Sequence, residues 1–199
     1  AWNVTAGQSG ILGELHVVRD GQAAMLPFDA LIVCAGATDR LMPVPGWNQA
    51  GCYSLGAAQI ALKAQACAIG ARNVFLGSGP LLYLVATQYL QAGAGVAAVL
   101  DTAAPRKSAA ALRGLLARPR LAWRGLMMMR ALRRAGVPLL QGVLPLAIEG
   151  HAWRGVVAVR VRDGQGREHR FAADAVALGW HLRAETQLAD LARCEFDFE

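Results

Sequence analysis

Two glycines separated by a single residue, placed directly after a short apolar run, are the residues of this chain best suited to chemistry. The stretch reads Asn73-Val74-Phe75-Leu76-Gly77-Ser78-Gly79-Pro80-Leu81-Leu82-Tyr83, and after a helix-like run it closes with Val96-Ala97-Ala98-Val99-Leu100-Asp101. A strand that feeds straight into a helix aims the helix's free N–H groups at the intervening turn, and those donors together with the helix dipole favour a pyrophosphate there. Gly77 permits the turn. Gly79 has no side chain, so a phosphate can approach the backbone, and Ser78 lies between them. Pro80 suits the first helical position, where its missing N–H costs nothing, and Leu81 follows it into the helix. An acid at the end of the next strand can accept a hydrogen bond from a ribose 2′-hydroxyl, and Asp101 stands there. The same charge would repel a 2′-phosphate, so NAD(H) is expected over NADP(H). The departure from the pattern is Leu82, which occupies the position of a third glycine and implies a wider helix–sheet gap or a shifted nucleotide. The alternative for Gly77 and Gly79 is an ordinary tight strand-to-helix turn.

The elements that must position this turn are legible around it. Val74 to Leu76 is a buried-strand signal, Leu81 to Leu90 a helix stopped by Gly93 and Gly95, and Val96 to Leu100 a second strand. Gly93-Ala94-Gly95-Val96-Ala97-Ala98 repeats a Gly-x-Gly-x-x-Ala spacing, but it precedes a strand, so its amides open no helix and it reads as a helix stop.

Composition sets the outer limits. The chain has 199 residues, 55% hydrophobic and 17% charged, enough to bury a substantial core. No apolar run is long enough for a membrane span. Cys34, Cys52, Cys67 and Cys194 form no Cys-x-x-Cys pair, which argues against a dithiol or structural zinc site and for reduced core residues in a cytoplasmic protein. His16, His151, His169 and His181 have no metal-pair spacing; only His181, just past a strand end, stands out. No residue is assigned as a catalytic acid, base or nucleophile, and none as a metal ligand. The net charge of +6 is concentrated in Arg106, Lys107, Arg113, Arg118, Arg120, Arg124, Arg130, Arg133 and Arg134, a run without acids. It reads as a solvated face, as an anion-binding surface, or as a docking face for an acidic subunit. With Trp123 as its one aromatic, it offers no stacking platform for nucleic acid.

In chain order, Trp2 to Thr5, Leu12 to Val18 and Ala23 to Phe28 predict an antiparallel meander with a hairpin turn at Asp20-Gly21. Ala30 to Ala35 predicts a strand buried on both faces, ending in the small residues Ala35-Gly36-Ala37. Met42 to Trp47 is a proline-fixed linker, and Gly56 to Ile69 a helix. Ser108 to Leu116 and Leu121 to Ala135 are further helices, and Val137 to Gln141 a strand parallel to the first two. Leu144 to Glu149, Gly155 to Arg162 and Glu168 to Phe171 form a second meander. Ala175 to Leu178 is another strand, ending Gly179-Trp180-His181, and Ala184 to Leu191 a short helix.

This order of pieces, with Cys34-Ala35-Gly36-Ala37, Pro43-Val44-Pro45-Gly46-Trp47, Gly56-Ala57-Ala58-Gln59, Lys63-Ala64-Gln65 and Gly77-Ser78-Gly79-Pro80-Leu81-Leu82, resembles the pyridine nucleotide-disulfide oxidoreductase superfamily. Within it the chain is most similar to the flavin-carrying α-type subunits of opine oxidases, proline dehydrogenases and hydrogen cyanide synthases. The resemblance implies an α/β protein. A Rossmann-like NAD(P)-binding domain over 46–172, with a parallel sheet and an antiparallel meander, would be inserted in a partial FAD-binding domain formed by 1–45 and 173–199. It implies that Ala35 and Gly36 pass near a flavin nucleotide, that Gly77 to Pro80 is the nicotinamide-nucleotide turn, and that Gly179 lies where the chain returns to the flavin domain. The chain then reads as a central fragment of a FAD-dependent oxidoreductase acting on the C–N bond of an amino acid, imino acid or opine. Its partners would be a small-molecule substrate and a second subunit, or another copy of itself. The alternative is a non-catalytic nucleotide-binding or subunit-docking module.

Overall fold

The structure is a computed structural model that describes residues 3–6, 13–104, 119–151 and 153–197. The chain divides into two compact units, residues 39–182 and residues 1–38 with 183–199.

The larger unit is built on a five-stranded parallel sheet in the order β5 (Cys52–Ser54), β12 (Ala175–Trp180), β6 (Asn73–Ser78), β7 (Val96–Asp101) and β8 (Leu139–Gln141). Side chains alternate across it, as the period of a strand demands. Val74, Leu76, Ala98, Leu100, Val176, Leu178 and Trp180 face one side. Phe75, Val99 and Ala177 face the other. Three helices cover this second side: α1 (Leu55–Ala64), α2 (Pro80–Gln91) and α3 (Pro119–Arg134). They contribute Leu55, Ala58, Leu82, Val85, Ala86, Tyr89 and Leu132 to its core. Phe75 and Tyr89 meet edge to face with centroids 5.1 Å apart, and the Tyr89 hydroxyl donates to the Ala58 carbonyl at 2.8 Å, which ties α2 to α1.

The first side is covered by an antiparallel meander, β9 (Leu144–His151), β10 (Gly155–Arg162) and β11 (Glu168–Ala172), with β10 in the middle. Ile148, Val156, Val159 and Val161 point inward. The outer face carries Arg160 and Arg162 paired with Glu168, and Arg170 paired with Glu149. The unit is therefore three layers deep, helices over parallel sheet over meander. Pro145 sits in β9, an edge strand where its missing N–H removes no ladder bond from a central position.

The smaller unit contains a three-stranded meander, β1 (Asn3–Ala6), β2 (Gly13–Arg19) and β3 (Gln22–Phe28). Asp20 and Gly21 have φ of 53° and 78°, the paired positive values of a hairpin turn whose twist matches its strands. A short helix, α4 (Gln187–Leu191), completes it. β4 (Ala37–Asp39) and β13 (Leu182–Ala184) carry the chain across the divisions between the units.

Several sequence expectations are corrected. The run Ala30 to Ala35 forms no strand, and Ile32 is 87% exposed. An apolar strand needs neighbours on both edges, and none of the described strands pairs with this run. Ala175 to Trp180, expected among the strands of the flavin part, lies inside the parallel sheet between β5 and β6. The helix expected to reach Ile69 ends at Ala64, because Ala66 adopts a left-handed φ of 53°. The helix expected from Ala184 shrinks to Gln187–Leu191. Cys34, Cys67 and Cys194 are exposed instead of buried in the core, and Cys52 is half-buried. The helix expected over Ser108 to Leu116 lies outside the described residues.

Candidate functional site

The glycine turn sits at the carboxyl edge of the parallel sheet, where β6 passes directly into α2. Gly79 is the N-cap, with φ 94° and ψ 175°, a region open in practice only to glycine. Pro80 occupies the first helical position, and no side chain caps the helix, so its dipole and first-turn amides face the turn without an internal acceptor from a side chain. Gly77 pairs with Gly179 of β12 on one side and Asp101 of β7 on the other. A Cβ at Gly77 would run into the Gly179 carbonyl oxygen. Gly77 is thus required by the close approach of the β12 strand end, whereas a Cβ at Gly179 would meet the Leu55 side chain of α1. Ser78 is buried and pairs with Trp180. Leu81 is partly buried against the helix-side core, and Leu82, in the third-glycine position, is fully buried in it.

Two hydrogen-bonded clusters stand at the strand ends beside the turn, and the first bonds to it directly. In the first, the Thr102 N–H donates to the Gly77 carbonyl at 2.8 Å, and the Trp180 indole donates to the Thr102 hydroxyl at 2.9 Å. In the second, Asp101, Gln141 and Tyr83 converge on the helix side at the ends of β7 and β8. The Tyr83 hydroxyl donates to Asp101 Oδ2 at 2.6 Å, the Ala103 N–H donates to Asp101 Oδ1 at 2.8 Å, and the Gln141 amide donates to the Tyr83 hydroxyl at 2.9 Å. Burial, reinforced by the hydrogen bond to Asp101 and that residue's charge, pushes the Tyr83 phenol well above its ordinary range. Asp101 is 5% exposed and both its oxygens already accept from the protein. Each carboxylate oxygen has a second lone pair, so a ribose hydroxyl would share Asp101 with Tyr83 or Ala103.

Sequence reasoning passed over the Tyr83–Asp101–Gln141 cluster and Thr102. Their signal was the coincidence of polar side chains at three neighbouring element ends, which becomes visible only when the strand order is known. It also gave no role to Asp39. This residue's Oδ2 accepts from Gly56 N–H at 2.8 Å at the start of α1, beside the Ser54 cap.

The structure brings Gly77, Ser78, Gly79, Pro80, Leu81, Asp101 and Gly179 together in the larger unit. Ala35 and Gly36 belong to the smaller unit, are exposed, and lie in an irregular segment where the Gly36 carbonyl accepts from the Glu185 N–H at 3.0 Å. They form no glycine turn at a helix start of the kind Gly77 to Pro80 makes. Among the described residues no group of three or more His, Cys, Asp or Glu side chains could hold a metal ion, and no helix is long and apolar enough to cross a membrane.

A parallel sheet with a glycine turn at its carboxyl edge, helices on one face and a meander on the other is the fold of the FAD/NAD(P)-binding oxidoreductases. The chain superimposes on a FAD-dependent pyridine nucleotide-disulphide oxidoreductase from Desulfovibrio vulgaris with a TM-score of 0.61 at 20% identity, over 93% of this chain and 44% of that one. On the L-proline dehydrogenase of P. horikoshii the TM-score is 0.62 at 14% identity, over 100% of this chain and 30% of that one. No protein-family model matches the chain. Its sequence is 38% identical to the opine oxidase A subunit of Agrobacterium tumefaciens (strain Ach5), over 98% of this chain and 38% of that protein. It is 31% identical to the hydrogen cyanide synthase subunit HcnB of Pseudomonas protegens, over 92% of this chain and 40% of that protein. The chain is thus a homologue of the opine oxidase A subunits and of HcnB, and it spans about two fifths of the length of these curated relatives.

Proposed function

We propose that residues 39–182 bind the ADP part of a dinucleotide at the Gly77–Pro80 turn, within a flavin-dependent oxidoreductase that acts on a C–N bond. The observation that carries this reading is the start of α2: a helix of 12 residues, opened by a glycine in a glycine-only conformation and left without a side-chain cap, aimed out of the carboxyl edge of a parallel sheet. Pyrophosphate oxygens would accept from the first-turn amides, and Gly79 would let them close on the backbone. Asp101, at the end of the neighbouring strand, would meet the adenosine ribose and exclude a 2′-phosphate. These residues fit NAD(H).

The chemistry of the whole protein is read from its relatives. Opine oxidase, hydrogen cyanide synthase and L-proline dehydrogenase are the names borne by proteins similar to this chain in sequence or fold. A bound flavin would supply the hydride acceptor for the carbon beside the substrate's nitrogen, and the protein the orientation and electrostatics. The present chain contributes a nucleotide platform to that enzyme and no assigned acid or base. Two relatives are named as subunits, which supports partnership with a second subunit. The exposed Arg120, Arg124, Arg130, Arg133 and Arg134 of α3, none paired with a carboxylate among the described residues, support a docking role for that helix.

Titration calorimetry of the purified chain with NADH, NADPH and FAD tests the reading. NADH is expected to bind more tightly than NADPH, and FAD not to bind at the Gly77 turn. A stoichiometric yellow complex with FAD that is lost on changing Gly79 to Ala would reassign the turn to the flavin.

A further inference from the structure

The volume that a side chain at Gly79 would fill is already occupied, and the group that fills it is another side chain. A Cβ built on Gly79 would lie 2.8 Å from Cε1 and 2.9 Å from Nδ1 of His181, with Nε2 at 3.5 Å. The imidazole therefore lies across the mouth of α2, in the volume that the missing side chain of Gly79 leaves open. The backbone fixes the point from which the ring projects. His181 has a φ of 65°, a left-handed conformation that residues with a Cβ rarely adopt. The conformation is fixed on both sides: the Arg40 N–H donates to the His181 carbonyl at 3.0 Å, and the Trp180 N–H donates to the Arg40 carbonyl at 2.8 Å. Trp180 is in turn anchored through its indole to Thr102, which holds the Gly77 carbonyl. The backbone that presents the ring and the turn it covers thus form one hydrogen-bonded assembly. Rotation about the His181 side-chain bonds is the motion that uncovers Gly79 with this assembly intact.

We propose that His181 is a specificity-determining gate on the nucleotide site: its imidazole excludes ligands from the Gly79 backbone until a pyrophosphate displaces it. This inference rests on the nucleotide reading of the Gly77–Pro80 turn. Part of the binding energy is spent on moving the ring, so a ligand whose pyrophosphate reaches the α2 amides displaces it, and a ligand without one gains nothing by doing so.

The test uses the full chain with NADH as probe. His181→Gly removes the ring and suits the left-handed backbone, and the affinity for NADH is expected to rise by roughly threefold to tenfold, the scale of one side-chain rearrangement. His181→Phe keeps a ring without polar atoms and is expected to stay at or below the wild-type affinity. His181→Asn, which also tolerates a positive φ, replaces the glycine variant if that one fails to fold. An unchanged or weaker affinity in the folded Gly or Asn variant overturns the gate, and a weaker one makes the imidazole a ligand contact. In the wild-type chain, a nuclear Overhauser contact between the His181 ring and the Gly79 α-protons is expected without NADH and lost at saturation. Its persistence at saturation also overturns the gate. If neither the wild type nor any variant binds NADH, the nucleotide reading itself falls, and the gate with it.

Discussion

Gly77-Ser78-Gly79 and Gly93-Ala94-Gly95 have the same glycine spacing and stand at opposite ends of the same helix. The first pair leaves β6 and opens α2. Gly77 is wedged against the Gly179 carbonyl and Gly79 lies under the His181 ring. The second pair closes α2. Gly93 has a φ of 76° and open space around it, its N–H donates to the Leu90 carbonyl at 3.1 Å, and the Ala94 N–H donates to the Tyr89 carbonyl at 3.0 Å. One pair leaves helix donors without a side-chain cap; the other uses turn donors to satisfy helix acceptors. A glycine pattern thus acquires meaning from the direction of the chain through it and from what crowds each Cα.

Substitutions that separate these roles follow in order of expected effect. Gly77→Ala should be the most damaging, because the clash is with a backbone carbonyl in a central strand that cannot swing aside. A loss of about 3 kcal/mol in urea unfolding is expected, and a loss under 1 kcal/mol would show that the two strand ends are looser than the structure has them. Gly79→Ala should cost about 1–2 kcal/mol for its backbone conformation, while NADH binding in calorimetry falls at least tenfold. Retained binding would remove the distinction between the two glycine pairs as a guide to function. Gly93→Ala should cost about 1 kcal/mol and leave NADH affinity within error, since the residue lies at the far end of the helix.

Tyr83 offers a pH-dependent test of the platform beneath the turn. Its folded pKa is raised above the unfolded value, so the stability it contributes is fully present below the ordinary phenol pKa and declines as pH rises from there toward the folded value. Urea midpoints of the wild type are expected to fall more steeply above about pH 10 than those of Tyr83→Phe. Parallel profiles would detach Tyr83 from the Asp101–Gln141 cluster. At neutral pH the Phe variant should lose about 1–2 kcal/mol, because Asp101 keeps its burial and loses a donor.

The strand–turn–helix–strand unit was legible in the sequence because each of its signals is local. Val74 to Leu76 is apolar, Gly79 and Pro80 have intrinsic backbone preferences, and the Asp20-Gly21 hairpin needs only its own two residues. The second meander was legible from alternation and turn residues for the same reason. Ala30 to Ala35 misled because apolar content announces burial without naming the strand that provides it. Helix α1 stopped short of Ile69 because Ala66 turns left-handed at a point where composition gives no stop. The cysteines were read as core from their average behaviour, and their exposure depends on which faces the sheet leaves open.

What the sequence alone determined was therefore the class of fold and the position of the glycine turn, since both rest on interactions between residues near one another in the chain. What only the tertiary structure decided was the surroundings of that turn. The parallel sheet sets Gly179 beside Gly77, brings Asp101 and Gln141 to Tyr83, and lays the His181 ring on Gly79. These contacts join residues far apart in the chain through the strand order β5-β12-β6-β7-β8. That order is fixed by burying two faces of one sheet at once, a condition no local stretch of sequence can express.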